Sequence, residues 1–464
     1  MDRGIEPCGM SSTMALKPAK CRRMDGELLT LLRAANPWLE NPRAFPEAAR
    51  HRIPSAFVPR DVSAAAEWST PGRAHLVVGA RQVGKSSVLW AWFRDNHRAP
   101  LFMNAEEPSV RSWCRSATLV ASDLAGLVGA DTPILIDEAQ HLEEAGLFIK
   151  GLIDAGLPNP LFVTGSSAFD LESRTRESLA GRATRTIVHP FSLKEIAAIM
   201  HDAAPLLRES RLREAALRQM VVGGYPAAWL SERPEVELYR LMDAFVVRDA
   251  SDRFHIAHVD AFRTLLRLVA SQTGSLVNVS EWAGICGVAR GTVDDYLTIL
   301  ADGHIVTLVQ PFVGGRRAEL THRPKVFFRD PGVRNAALRQ FQPFADRLDR
   351  GAALEGWVAA ELAKVLSPLA PLDTLRYWRS RSGAEVDFLV ERPAGLVAVE
   401  AKAAALRRPA LSRSSRSFID AYHPRRFVVV NLGLDHAERM NDTDVRWVLP
   451  EAFAGPHELL DGPD

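Results

Sequence analysis

The sequence predicts an α/β protein of several domains, with a parallel sheet first, a helical connector next, and a second α/β region last. Three observations carry this expectation. Between His75 and about Pro190, the short apolar runs HLVV, LFMN, ILID, LFVT and TIV alternate with helix-like segments. Residues about 191–260 read as helices broken at GGYP (Gly223–Pro226), and three more helices and an apolar strand follow up to about residue 313. After KVFFRDPG (Lys325–Gly332) a helix-plus-strand pattern runs to about residue 450.

The bounds agree with a multidomain globular protein. A chain of 464 residues exceeds the roughly 250–300 that one core supports. The 47% hydrophobic and 24% charged fractions are ordinary for soluble proteins. With 57 Lys+Arg against 56 Asp+Glu, the whole molecule is no polyanion binder, although one basic face remains open. Cys8, Cys21, Cys114 and Cys286 show no metal-type spacing, so reduced thiols in a cytoplasmic protein are the expectation. The first 25 residues carry Lys17, Lys20, Arg22 and Arg23 without an apolar core, which argues against a secretory signal. Met10, Met14 and Met24 leave open a start downstream of Met1. No run of about 18 apolar residues predicts a membrane span.

The strongest motif is GARQVGKSS, Gly79–Ser87, which fits G-x-x-x-x-G-K-[ST] between the strand HLVV and the helix SSVLWAWFRDN. Backbone N–H groups of Gly79, Ala80, Arg81, Gln82, Val83 and Gly84, with Lys85, Ser86 and Ser87, are expected to cradle nucleotide phosphates. Lys85 would reach the β- and γ-phosphates and Ser86 would ligate Mg²⁺. In ILIDEAQ, Asp137 ends a buried strand, where a parallel sheet places its ligand, and would share the Mg²⁺. Glu138 would act as the general base. LFVTGSS ends in hydroxyls, of which Thr164 or Ser166 would sense the γ-phosphate, with a plain helix cap as the alternative. In SLAGRATR, Arg182 and Arg185 precede the last strand; Arg182 reads as a finger for a neighbouring subunit's nucleotide or as a surface arginine.

Taken together, GARQVGKS, LIDEAQ, TGSS, LAGR and PFSLKE resemble a prokaryotic group of AAA-type P-loop ATPases whose members usually carry a C-terminal domain of unknown function. The resemblance spans about residues 50–405. It implies that Gly79, Gly84, Lys85, Ser86 and Asp137 hold ATP and Mg²⁺ and that Glu138 drives hydrolysis. It says nothing of the extended N-terminus.

Two further stretches carry candidate chemistry. VSEWAGICGVARGTVDDYLTILADGHIV has helix-turn-helix grammar, with Gly287 at the turn and Val293, Tyr296, Leu297 and Leu300 facing inward on the second helix. The strand IVTLVQPF and the basic GGRR (Gly314–Arg317) complete a winged-helix pattern. Arg290 and Thr292 suit DNA, but Asp294 and Asp295 oppose phosphate, so DNA contact and a packing role stay open. In YWRSRSGAEVDFLV and LVAVEAK, Asp387, Glu400 and Lys402 match the PD-(D/E)XK nuclease core, the two acids thirteen residues apart. Asp387 and Glu400 would bind Mg²⁺, Lys402 would assist the attacking water, and Glu355 on the preceding helix would add an acid. A silent scaffold is the alternative.

The expected layout is an N-terminal extension, partly disordered (1–50), a P-loop ATPase core (51–190), a helical connector (191–260), a winged helix (261–330) and a restriction-endonuclease-like domain (331–464). The function expected is Mg²⁺-dependent ATP hydrolysis coupled to DNA, or a nucleotide-dependent switch for a protein partner or a second copy of the chain. A helicase is weaker, since no second motor domain is visible.

Overall fold

The computed structural model describes residues 26–64, 68, 72–165, 181–200, 205–246, 256, 258–313, 323–366 and 373–461. Ser166, Ser167 and the GGRR hairpin tip lie outside the described residues.

All five apolar runs of the N-terminal half are strands of one parallel sheet: β1 (Ala74–Val78), β2 (Leu101–Asn104), β3 (Ile134–Asp137), β4 (Leu161–Gly165) and β5 (Ala183–Ile187). Their order is β2-β3-β4-β1-β5. β1 and β4 are buried along their whole length, as parallel strands covered on both faces must be. Placing β4 between β1 and β3 sets the ends of these three strands side by side, which brings distant motifs to one edge.

The chain ahead of this sheet is also structured. Helices Gly26–Ala35 and Phe45–Arg52 flank short 3-10 turns and pack on the sheet's β2 side. Asn36, fully buried, donates to the Phe102 carbonyl at 2.9 Å and accepts from the Phe102 N–H at 2.6 Å. Its amide thus fills the open hydrogen-bonding edge of β2. Trp38 Nε1 donates to Pro100 O at 2.7 Å, and the Arg52 guanidinium lies over the Trp38, Trp90 and Phe102 rings at 4.6–5.0 Å.

Helices Leu193–Ala198, Pro205–Val222, Pro226–Trp229 and Pro234–Ala244 form the connector. Three helices follow, Val259–Ser271, Val279–Cys286 and Arg290–Asp302, then the antiparallel pair β6 (Val306–Pro311) and β7 (Lys325–Phe328). Val293, Tyr296, Leu297 and Leu300 are buried as their helical spacing requires, and Asp294 and Asp295 are exposed.

The hairpin does not stand apart. β6 pairs in parallel with β8 (Thr374–Arg379) through Gln310 and Pro311, opposite Arg376 and Tyr377. With β9 (Glu385–Arg392), β10 (Gly395–Ala401), β11 (Arg426–Val430), β12 (His436–Met440) and β13 (Thr443–Val448) it forms one eight-stranded sheet, order β12-β13-β11-β10-β9-β8-β6-β7. The sheet therefore runs across the boundary expected at residue 330. Helix Arg350–Leu366 covers one face through Leu354, Trp357, Val358 and Leu362. Helix Arg413–Tyr422 covers the other through Phe418 and Ile419.

GGYP sits at the joint of all these parts. Phe191 N–H donates to Gly224 O at 2.7 Å, and Gly224 N–H donates to Asp330 Oδ2 at 2.7 Å. A Cβ on Gly224 would come within 2.3 Å of the Phe191 carbonyl oxygen. Gly224→Ala is expected to destabilise the protein by about 1–3 kcal/mol through this overpacking. The measurement is the chemical denaturation midpoint, and an unshifted midpoint would show that the joint yields.

Candidate functional site

β1 ends at Val78 and the chain turns at once. Gly79 (φ +148°), Gln82 (φ +60°) and Gly84 (φ +94°) occupy the positive-φ region, which curls the backbone before the helix Lys85–Asp95 begins. A Cβ on Gly79 would lie 2.2 Å from the Val188 carbonyl oxygen, so the loop passes β5 at a distance only glycine permits. Val88, Leu89, Trp90 and Phe93 bury the helix against the sheet and fix its N-terminus over the loop. Lys85 is buried, and its ammonium donates to the carbonyls of Gly79 (3.1 Å) and Ala80 (2.9 Å). Arg81 and Ser87 are half-buried in and just after the loop.

Asp137 ends β3 beside this helix. Its carboxylate accepts from Ser86 Oγ at 2.9 Å (Oδ1) and 3.2 Å (Oδ2), and from Thr164 Oγ1 at the end of β4. Thr164 Oγ1 in turn accepts from the Glu138 N–H at 2.9 Å. Burial pushes the Asp137 pKa up, while the Thr164 and Ser86 hydroxyls and the Lys85 charge hold it down. Glu138 adopts φ +54°, a left-handed conformation costly for a residue with a Cβ, and its carboxylate accepts from Gln140 Nε2. Ser86, Asp137, Thr164 and Glu138 are therefore one continuous hydrogen-bonded chain at the mouth of the loop. The donor set, a hydroxyl and a carboxylate side by side, suits a hard cation such as Mg²⁺.

Arg182 is elsewhere. β5 runs parallel to β1 with Ala183 opposite Ala74, so Arg182 lies at the start of the sheet, a strand length from the loop. It pairs there with Asp154 at 3.0 Å. It is therefore not a contact for a nucleotide on this chain's own loop.

The sequence motifs miss Arg60. This residue is buried, with Nε on Glu195 Oε1 at 2.8 Å, Nη1 on the Val83 carbonyl at 2.9 Å and Nη2 on the His189 carbonyl. Glu195 completes a capping box with Ser192 at the first connector helix. One guanidinium thus binds the phosphate loop, the exit of β5 and the connector. Beside it a cavity of about 350 Å³, lined among others by Phe57, Val58, Val83, Phe191, Pro226 and Leu230, is mostly apolar.

The C-terminal acids are also engaged within the chain. Among the described residues no group of three or more His, Cys, Asp or Glu is arranged to hold a metal ion. Asp387 on β9 accepts from the Ala401 N–H at 2.8 Å. Glu400 on β10 pairs with Lys402 at 2.5 Å and accepts from Ser415 Oγ. Lys325 brings a further positive charge to this region. This lysine of β7, 2% exposed, meets Glu355 at 3.1 Å and also pairs with Glu385. Burial disfavours its charge, but Glu355, Glu385 and Asp387 outweigh that and raise its pKa. Asp387 and Glu400, the expected Mg²⁺ ligands, are in this arrangement engaged by protein groups, and the Lys325 ammonium adds positive charge on the Asp387 side. Burial pushes Glu355 up to about 7, Lys325 opposing and Asp387 reinforcing.

Two predictions follow from these charges. Arg60→Met strands the buried Glu195 carboxylate and is expected to cost about 3–5 kcal/mol, read by denaturant titration. Glu355 holds its proton more tightly folded than unfolded, so its contribution to stability falls as pH rises from about 4.5 to about 7. Glu355→Gln should gain on the wild type between about pH 5 and about pH 8. A denaturation difference constant with pH would contradict this.

Residues 72–197 match a family model described as an AAA domain. Residues 213–343 and 350–451 match two models described as domains of unknown function. An uncharacterized protein of Mycobacterium tuberculosis is 27% identical over 423 residues, 87% of this chain and 88% of its own. An uncharacterized protein of Methanocaldococcus jannaschii is 22% identical over 337 residues, covering 69% and 72% of the two chains. Among solved structures, Cdc6p from Pyrobaculum aerophilum aligns at 14% identity and TM-score 0.26, covering 62% of this chain and 96% of that one. In the described residues no helix is long and apolar enough to cross a membrane. Residues 72–197, which match the AAA model, form a parallel α/β sheet with a P-loop, and further α/β structure follows them.

Proposed function

We propose that the protein is a Mg²⁺-dependent ATPase that works as a nucleotide-dependent switch, with its C-terminal half as the responding part. The observation that carries the hydrolytic reading is the Ser86–Asp137–Thr164–Glu138 chain at the loop mouth. Lys85, held on the carbonyls of Gly79 and Ala80, is placed by the same loop that would cradle the phosphates. Ser86 and Asp137 would hold Mg²⁺, which supplies charge neutralisation for the phosphates. Glu138 accepts the proton of the attacking water, and Thr164 fixes the Glu138 backbone relative to Asp137. The apolar cavity between Val58, Phe191 and Leu230 suits a flat purine ring. Arg182 serves hydrolysis only if a second copy presents it to this site.

The switch is favoured over DNA cleavage by Lys325, whose ammonium is packed among Glu355, Glu385 and Asp387. The winged-helix reading of residues 261–330 fits a packing role, because its hairpin is paired into the next sheet and Asp294 and Asp295 are exposed on its second helix.

Lys85→Ala is expected to abolish ATP turnover. Glu138→Gln should keep nucleotide binding and slow turnover by about 100-fold or more, measured as phosphate release; turnover at the wild-type rate would remove Glu138 as the base. With Mg²⁺ or Mn²⁺ the wild type should leave duplex and single-stranded DNA intact. Cleavage that Asp387→Ala or Lys402→Ala stops would replace the switch with a nuclease.

A further inference from the structure

After β10 the chain reads KAAALRRPALSRSSRS, Lys402–Ser417. Lys402, Arg407, Arg408, Arg413 and Arg416 give this stretch five cations and no acid, in a chain whose net charge is +1. Its backbone is pinned. The Leu432 N–H donates to Ala404 O at 3.1 Å, and Trp447 Nε1 donates to Ala410 O at 3.3 Å. Leu406 and Leu411 pack on the cluster that holds Phe418 and Trp447. Ser412 then caps helix Arg413–Tyr422 by accepting from the Ser415 N–H at 3.0 Å. Ser415 Oγ donates to Glu400, and Glu400 pairs with Lys402. That string of contacts brings the two ends of the stretch together beside the end of β10.

Arg407, Arg408, Arg413 and Arg416 are all exposed, and among the described residues none of their guanidinium groups has an ion pair or a hydrogen bond. Arg413 and Arg416 are three residues apart and share a helix face, and the next acid, Asp420, follows a turn later. Glu400, at the base of the face, is buried and paired, so it adds no free negative charge. Arginines gathered without carboxylates repel one another and gain most from an anion with repeated charge. The two leucines of the stretch are taken up by the core beneath it, which leaves no apolar anchor at its surface. A protein partner's hot spot or a membrane-binding face depends on such an anchor. A phosphodiester backbone does not.

We propose that the face formed by Lys402, Arg407, Arg408, Arg413 and Arg416 binds the phosphate backbone of nucleic acid without reading its sequence. The pinned loop and the capped helix hold the guanidinium groups out before the strand arrives, which lowers the ordering cost of binding. The face lies on the C-terminal sheet and does not depend on the ATPase reading. It gives the responding half of the molecule a partner to hold or release.

The test titrates the full chain against fluorescein-labelled duplex and single-stranded DNA of mixed sequence, read by anisotropy over a range of salt concentrations. Wild type should bind at least one form, with a dissociation constant on the order of 10⁻⁴–10⁻⁶ M near physiological salt and an affinity that falls steeply as salt rises. Arg407→Gln with Arg408→Gln, and Arg413→Gln with Arg416→Gln, should each weaken binding by about 10-fold or more. Each pair should also flatten the slope of log affinity against log salt by about 1.5–2. Arg413→Lys with Arg416→Lys keeps the charge and should keep most of the slope. Arg43→Gln with Arg50→Gln removes equal charge from exposed positions near the N-terminus and should leave affinity and slope nearly unchanged. A wild type that binds neither DNA overturns the proposal, as do glutamine pairs no weaker than the Arg43/Arg50 control. Capture by vesicles containing phosphatidylserine, without DNA binding, assigns the face to a lipid surface and overturns it as well. If a glutamine pair does not fold, the salt series on the wild type decides: an affinity indifferent to salt overturns the proposal.

Discussion

Everything in this molecule meets at the segment from His189 to Glu195, and the buried Arg60–Glu195 ion pair is what fixes it. A guanidinium removed from water is costly unless each of its faces finds an acceptor or an aromatic ring, and here each does. The same segment then receives the rest of the chain. The Phe191 carbonyl accepts from Gln219 Nε2 at 2.7 Å and Lys364 Nζ at 2.9 Å. The Leu193 N–H donates to Glu361 Oε2 at 2.9 Å. Gln219 is itself held by Trp357 Nε1 at 2.8 Å. The strand that leaves the nucleotide-binding sheet is therefore read directly by the connector and by the C-terminal helix Arg350–Leu366. Because each partner satisfies a buried polar group, loss of any of them leaves another uncompensated.

Buried charge is used differently in the C-terminal half. Lys325 neutralises acids from two elements of the neighbouring domain, Glu355 on its helix and Glu385 on β9. A solvated surface pair would contribute little, but this lysine has no water to return to. Glu355 and Glu385 thus make an electrostatic seat for a strand that comes from the preceding module. Glu400 and Lys402 satisfy each other on the adjoining strand.

Much of the N-terminal half was legible in the sequence because its signals are local. A buried parallel strand is a short apolar run, a phosphate loop is a fixed spacing of glycines, and both sit within a few residues of their neighbours. The second helix of the middle module was equally legible, since its 3.6-residue period places Val293, Tyr296, Leu297 and Leu300 on one face. What escaped is long-range. Arg60 lies 135 residues from Glu195, and Asn36 lies 66 from the strand edge it closes. Lys325 reads as the polar start of an apolar run, with nothing in its vicinity to announce three carboxylates. Asp387 and Glu400 were found by local pattern, as was the Lys402 that pairs with Glu400, but no pattern links Asp387 to the charge of Lys325. The place of Arg182 is likewise set by strand direction, not by its nearness in sequence to the other motifs, since that direction decides which edge of the sheet a residue occupies.

The hairpin β6–β7 has a mechanical consequence. It belongs by chain order to the three-helix module, yet Gln310 and Pro311 pair with β8, and the Phe312 N–H donates to Tyr377 O at 2.7 Å. Two units that share a sheet cannot swivel independently without breaking its ladder. The middle module and the C-terminal domain are thus bound into one sheet, and the glycine joint against Phe191 ties that sheet's neighbouring helices to the strand leaving the parallel sheet.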